Sequence, residues 1–124
     1  MNQTVLVSAI GSLLLSGSAA AATFCVDTAA KLVAALDSAQ ANGQADEIRI
    51  VRGTYYASAL TPFAFSSAEP YGLTLRGGYS QLNGACVSAV GDASRTLLDG
   101  GNVVPVLTLR LTAEHTTIPI SVEG

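Results

Sequence analysis

Glu47-Ile48-Arg49-Ile50-Val51-Arg52-Gly53-Thr54-Tyr55 is a short alternating strand that ends on glycine, and its pattern returns along the chain. Gly72-Leu73-Thr74-Leu75-Arg76-Gly77-Gly78-Tyr79 repeats it, Thr96-Leu97-Leu98-Asp99-Gly100-Gly101 echoes it, and Ile118-Pro119-Ile120-Ser121-Val122-Glu123-Gly124 carries it a fourth time. The leading apolar residues Ile48, Leu73, Leu97 and Ile120 are 25, 24 and 23 apart, and Gly53, Gly77, Gly100 and Gly124 are 24, 23 and 24 apart. A fixed period in the low twenties marks stacked repeats, each turn burying its apolar face only against its neighbours. The expectation is an all-β solenoid whose four rungs lie one on the next.

Upstream of the first rung the periodicity is helical. Asp27-Thr28 offers an N-cap, Ala29, Leu32, Val33 and Leu36 fall on one side, and Gly43 is the stop. Alanine at 29, 30, 34, 35, 39 and 41 raises helix propensity, so an amphipathic helix is expected over Thr28 to Ala41. Placed directly before the first repeat, it suits a lid over the first rung. An ordinary helix packed on a sheet is the competing reading. Phe24-Cys25-Val26 before it could pair as a first strand. Phe63-Ala64-Phe65, Val87 to Val90 and Val104 to Leu109 are secondary strand candidates. Ser58 to Pro62, Ser66 to Gly72 and Ser80 to Gly84 read as loops.

A chain of 124 residues with 49% apolar content supports one domain. Val5 to Leu15 is an uncharged apolar run followed by Ser16-Gly17-Ser18 and Ala19 to Ala22, which fits a secretory signal over residues 1–22 with cleavage near Ala22. The run is too short to span a bilayer, which takes about 20 apolar residues. The rest divides into residues 23–45, strand and capping helix, and 46–124, the coils. Six basic against nine acidic residues, with Lys31 the single lysine, exclude the clustered positive charge that nucleic acid or anionic lipid needs. Cys25 and Cys86 both follow the expected cleavage site. An even cysteine count in an exported chain reads as one disulfide.

The order of an Ala-rich helix, Asp46-Glu47-Ile48-Arg49-Ile50-Val51-Arg52-Gly53-Thr54-Tyr55, Leu73-Thr74-Leu75-Arg76-Gly77-Gly78-Tyr79 leading to Cys86, Arg95-Thr96-Leu97-Leu98-Asp99-Gly100-Gly101-Asn102 and a terminal Ile120-Ser121-Val122-Glu123-Gly124 resembles the N-terminal portion of bacterial exported proteins of the pectate-lyase-like kind. The likeness runs from about Phe24 to Gly124. It implies a short right-handed parallel β-helix behind an N-terminal amphipathic capping helix. It also implies a truncated product or the leading piece of something longer, since such proteins continue for many more coils.

The residue types that carry chemistry are sparse. Asp46 and Glu47 are adjacent on a strand and so face opposite sides, which prevents an acid and base pair. Asp99-Gly100-Gly101-Asn102 falls short of the six to eight oxygens calcium takes and reads as an Asp-Gly turn. His115, the single histidine, has only Glu114 beside it and lacks further zinc ligands. Ser58, Ser66 and Ser67 lie in no nucleophile-elbow setting. Arg49, Arg52, Arg76 and Arg110 lack the Asp and Glu cluster that the resembled lyases place around calcium. No catalytic, cofactor or metal residue is therefore assigned. Tyr55, Tyr56 and Tyr79 could stack on sugar rings if exposed together, against a role closing corners between strands.

The expected function is an exported structural or surface-interaction segment without its own catalytic centre. The alternative is the capped end of a polysaccharide lyase or glycoside hydrolase. Extracellular polysaccharide or cell-surface components are the expected partners. Self-association through an uncapped last coil is expected too, because such a coil leaves a strand edge exposed.

Overall fold

The computed structural model describes residues 21–89, 95–112 and 120–123. Thr28 caps the one helix among them, α1 (Ala29–Ala39): in extended backbone, its Oγ1 accepts from the Lys31 N–H at 3.1 Å. Leu32, Ala35, Leu36 and Ala39 form the buried face, at the helical spacing expected. At the far end Gln40 leaves the helix and clamps the chain that follows. Its Oε1 accepts from the Ser66 N–H at 2.9 Å and its carbonyl from Ser67 Oγ at 2.7 Å.

The main sheet among the described residues has five strands. β1 (Ala22–Val26), β2 (Asp46–Val51) and β5 (Leu73–Leu82) pair in that order and in parallel, and β9 (Ile120–Glu123) pairs parallel to β5 on its other side. Phe24, Ile48, Leu75 and Val122 share one row, with Thr23, Glu47, Thr74 and Ser121 on the opposite face. Two further sheets have two parallel strands each. β3 (Gly53–Tyr56) pairs with β7 (Thr96–Asp99), and β4 (Ala64–Ser67) with β8 (Thr108–Leu111). Ile48, Leu36, Phe63, Phe65, Leu73 and Val26 are the innermost of the core these sheets and α1 enclose.

Two glycines permit close approaches that hold the sheets together. A Cβ on Gly77 would come within 2.9 Å of Thr96 Cβ, so only glycine lets β5 pass over the start of β7, where the Gly78 N–H donates to Thr96 Oγ1 at 2.8 Å. Gly100 is buried under its own turn, and a Cβ there would collide with the Val104 carbonyl.

The all-β solenoid expected from the period is corrected. The chain forms a small mixed α/β protein with parallel sheets and, among the described residues, one helix; the four rungs do not form one stacked series, since those of Ile48, Leu73 and Ile120 pair in β2, β5 and β9 while that of Leu97 lies in another sheet. Leu97 pairs with Thr54 of β3, in a different sheet from Ile48, Leu73 and Ile120, and Leu73 and Ile120 share a row with Asp46 rather than with Ile48. The main sheet is not wholly parallel either. β5 runs on into a hairpin with β6 (Ala85–Ala89), antiparallel, through Asn83 and Gly84 at φ 53° and 82°. The helix contributes four buried side chains to the core it shares with β1, β2 and β4, which makes it a full layer of the fold. A period of about 24 records how far apart corners recur. It does not determine which strand each corner leads to.

The cysteines meet as expected. Cys25 on β1 and Cys86 on β6 form a disulfide with Cα atoms 5.5 Å apart, so the hairpin is fastened across β2 to the first strand. No helix among the described residues is long and apolar enough to cross a membrane. The segment 1–20 lies outside the described residues. β1 begins at Ala22, whose N–H donates to the Ala45 carbonyl at 3.0 Å, so the expected cleavage site falls at the first residue of this strand.

Candidate functional site

The outward face of the main sheet carries a ladder of charge. Glu47 accepts from Arg49 Nε at 2.5 Å and meets Arg76 at 3.8 Å, and Arg76 reaches Glu123 Oε2 from Nε and Nη2 at 3.1 and 2.6 Å. The register explains this, since Arg49, Arg76 and Glu123 occupy one row and Glu47 the neighbouring one. Arg76 holds the Glu123 carboxyl below its usual range, and Glu123 raises the guanidinium in return. Arg49 also lies over the Tyr79 ring, 5.5 Å from its centroid. These four charges balance one another. The ladder ties β9 to β5 and β2, leaving no charged group poised for chemistry.

Asp46 and Glu47 do face opposite sides. Asp46 is 5% exposed and accepts from Asn42 Nδ2 at 2.6 Å. Burial raises its carboxyl, Asn42 opposes the rise, and the charge of Glu69 adds to it. Glu69 itself accepts from the Gly43 N–H at 3.1 Å. This corner pairs two carboxylates that are 23 residues apart in sequence, and only the tertiary fold reveals it. Asp99-Gly100-Gly101-Asn102 is the turn its sequence indicated: Asp99 Oδ1 accepts from the Gly101 N–H at 2.7 Å, and Gly100 O accepts from Val103 and Val104. Among the described residues no three His, Cys, Asp or Glu gather as metal ligands, and His115 lies outside them.

The tyrosines do not form one platform. Tyr55 is 3% exposed, with its hydroxyl donating to the Val51 carbonyl at 2.6 Å and lying 3.4 Å from that of Val26. Desolvation, aided by the charge of Asp27, pushes its hydroxyl up to about 12. Tyr79 is buried as well, and Tyr56 alone of the three is exposed. Tyr55 and Tyr79 have no ring face left for a sugar, because both side chains fill the places where strands meet. Ser67 is committed to Gln40, and Ser58 Oγ bonds Thr61 Oγ1 at 2.7 Å.

The feature that stands out is an unfinished edge. Along the row that runs across the main sheet, Ile48 is 0% exposed, Leu75 2% and Val122 62%. Each inner residue is covered by the next strand, and Val122 has none beyond it among the described residues. Behind it lies an apolar cavity of about 270 Å³ lined by Ile50, Leu75, Gly77, Thr96, Leu98 and Val122, with Glu123 at its margin. β7 and β9 both border this cavity, and among the described residues each pairs on one side only. Leu97 and Val106 add exposed apolar surface on and beyond β7. The alternation of Ile120 and Val122 was legible in sequence, but which neighbour each would lack was not. No family model, curated protein or solved structure matches this chain, so the resemblance to pectate-lyase-like proteins rests on the quoted motifs alone.

Proposed function

We propose that this chain is an exported structural or surface-interaction domain, which works by accepting an added strand along β9 and β7 and not through a catalytic centre of its own. The rise in exposure from Leu75 to Val122 carries the reading: among the described residues the row of side chains reaches Val122 with no strand laid beyond it. A partner suited to this edge is an extended segment with an apolar residue opposite Val122 and polar residues on either side, which extends the row and plugs the cavity. A second copy of the chain is the simplest source of such a segment. The cross-link between Cys25 and Cys86 supports the exported reading, since oxidising compartments are where such bonds persist.

Light scattering over a range of protein concentrations tests the proposal. The wild-type chain should associate as concentration rises, and Val122→Lys, which places a charge on the exposed edge, should remain monomeric. A wild-type protein that stays monomeric at the highest concentration would sink the idea of a second copy at this edge.

A further inference from the structure

The main sheet has a second open margin. Among the described residues β1 pairs with β2 alone, so the sheet ends at β1 on one side and at β9 on the other. The strands β1, β2, β5 and β9 run parallel with their rows in step: Ala22, Asp46, Leu73 and Ile120 form one row, and Phe24, Ile48, Leu75 and Val122 the next on the same face. A copy of β1 laid beside β9 therefore keeps Phe24 on the apolar face and Thr23 on the polar one. The backbone groups are in phase as well. The Ala22 N–H donates to the Ala45 carbonyl and the Asp46 N–H to that of Gly72, so residues of this row turn their N–H and C=O from β1 toward β9. Ile120 and Val122 thus present theirs to the open side of β9. Thr23 and Cys25, the alternate residues, present theirs to the open side of β1.

The two margins also differ in shape. Val122 stands 62% exposed on β9, whereas a hollow of about 220 Å³ lies between β1 and α1, lined by Phe24, Val26, Lys31, Ala34, Ala35 and Ser38 among the described residues. In the same register, Val122 of one copy meets Phe24 of the next at this hollow, and Glu123 meets the uncharged Cys25, so no like charges oppose. Pairing β9 with β9 would set protrusion against protrusion and leave the hollow unfilled. We propose that copies of this chain join head to tail, β9 of one pairing in parallel with β1 of the next. This rests on the strand-addition reading above and names the surface that supplies the added strand. A contact between two different surfaces leaves one of each free in the dimer, so association runs past two copies.

Light scattering of the disulfide-intact chain and two edge variants, alone and mixed, tests this. Val122→Lys blocks the β9 edge. Thr23→Pro blocks the β1 edge by removing an N–H that faces the open side, a position where an edge strand tolerates proline. Wild type should grow past two copies, and each variant alone should stay monomeric. An equimolar mixture of the variants should give a species of two copies and none larger, since each supplies the edge that the other lacks. Ala34→Glu, which fills the hollow from an exposed position on α1, should behave as Thr23→Pro does and replaces it if proline prevents folding. A wild type that stops at two copies, a folded β1-edge variant that associates like wild type, or a mixture that stays monomeric would overturn the head-to-tail pairing and leave strand addition at β9 standing. A wild type that remains monomeric would overturn both.

Discussion

Removing the cross-link between Cys25 and Cys86 is the perturbation whose size the structure sets most directly. The two residues are 61 apart in sequence, and closing a loop of that length in the unfolded chain costs about 14 cal/mol/K on the chain-entropy model, or about 4 kcal/mol at 25 °C. Against a total stability of about 5–15 kcal/mol for a domain of ordinary size, that is a large share. Urea unfolding of the intact chain and of Cys25→Ala/Cys86→Ala, with a slope of about 1.5 kcal/mol per molar, should place their midpoints about 3 M apart. Reducing the wild-type disulfide before unfolding should give nearly the same displacement, which separates loss of the bond from loss of side-chain packing. The hairpin should loosen first, because among the described residues β6 pairs with no strand besides β5. A displacement under about 0.7 M, near 1 kcal/mol, in both arms would refute the reasoning. It would mean that the unfolded chain is already constrained without the bond.

Two further outcomes concern protons. Because the folded-state pKa of Asp46 is raised, the folded chain holds that proton more tightly than the unfolded one; its contribution is gained as pH falls through the folded value and is absent at neutral pH. Asp27 and Glu123 are lowered, by Lys31 and Arg76 first, so their contributions run the other way and are lost in acid. The difference between wild type and Asp46→Asn in chemical unfolding across pH 3 to 7 isolates Asp46: the variant should gain in relative stability as pH rises, and a pH-independent difference would contradict the assignment. Tyr55, with its hydroxyl at about 12, should give a late step in an alkaline ultraviolet titration. Tyr55→Phe should remove that late step and cost about 1–2 kcal/mol by leaving the Val51 carbonyl without its donor. A titration with no step near pH 12, or one that Tyr55→Phe leaves unchanged, would contradict its burial.

Much of the local structure was legible because it is written over a few neighbouring residues. Thr28 caps the helix through an N–H three residues on, Ile48 and Ile50 alternate into the core, and Asp99 closes its own turn. Asn83-Gly84 is a hairpin signal of the same local kind, although Ser80 to Gly84 read as a loop; β5 in fact runs through Leu82 before turning. The tyrosines were harder, since a ring that closes a corner and a ring that meets a sugar share one residue type. Burial of Tyr55 and Tyr79 separates the two roles.

The amino-acid sequence by itself determined the helix and its cap, most of the strands and the glycine corners, and it pointed to one disulfide between Cys25 and Cys86. Tertiary structure alone decided that Leu97 joins Tyr55's sheet and not that of Ile48, that Val122 ends its row uncovered, and that Asp46 lies near the charge of Glu69. The reason is the range of the forces involved. Caps, turns and alternation are settled by hydrogen bonds and side-chain directions within a few residues, whereas the partner of each strand is chosen by the competition of all apolar faces for a shared interior.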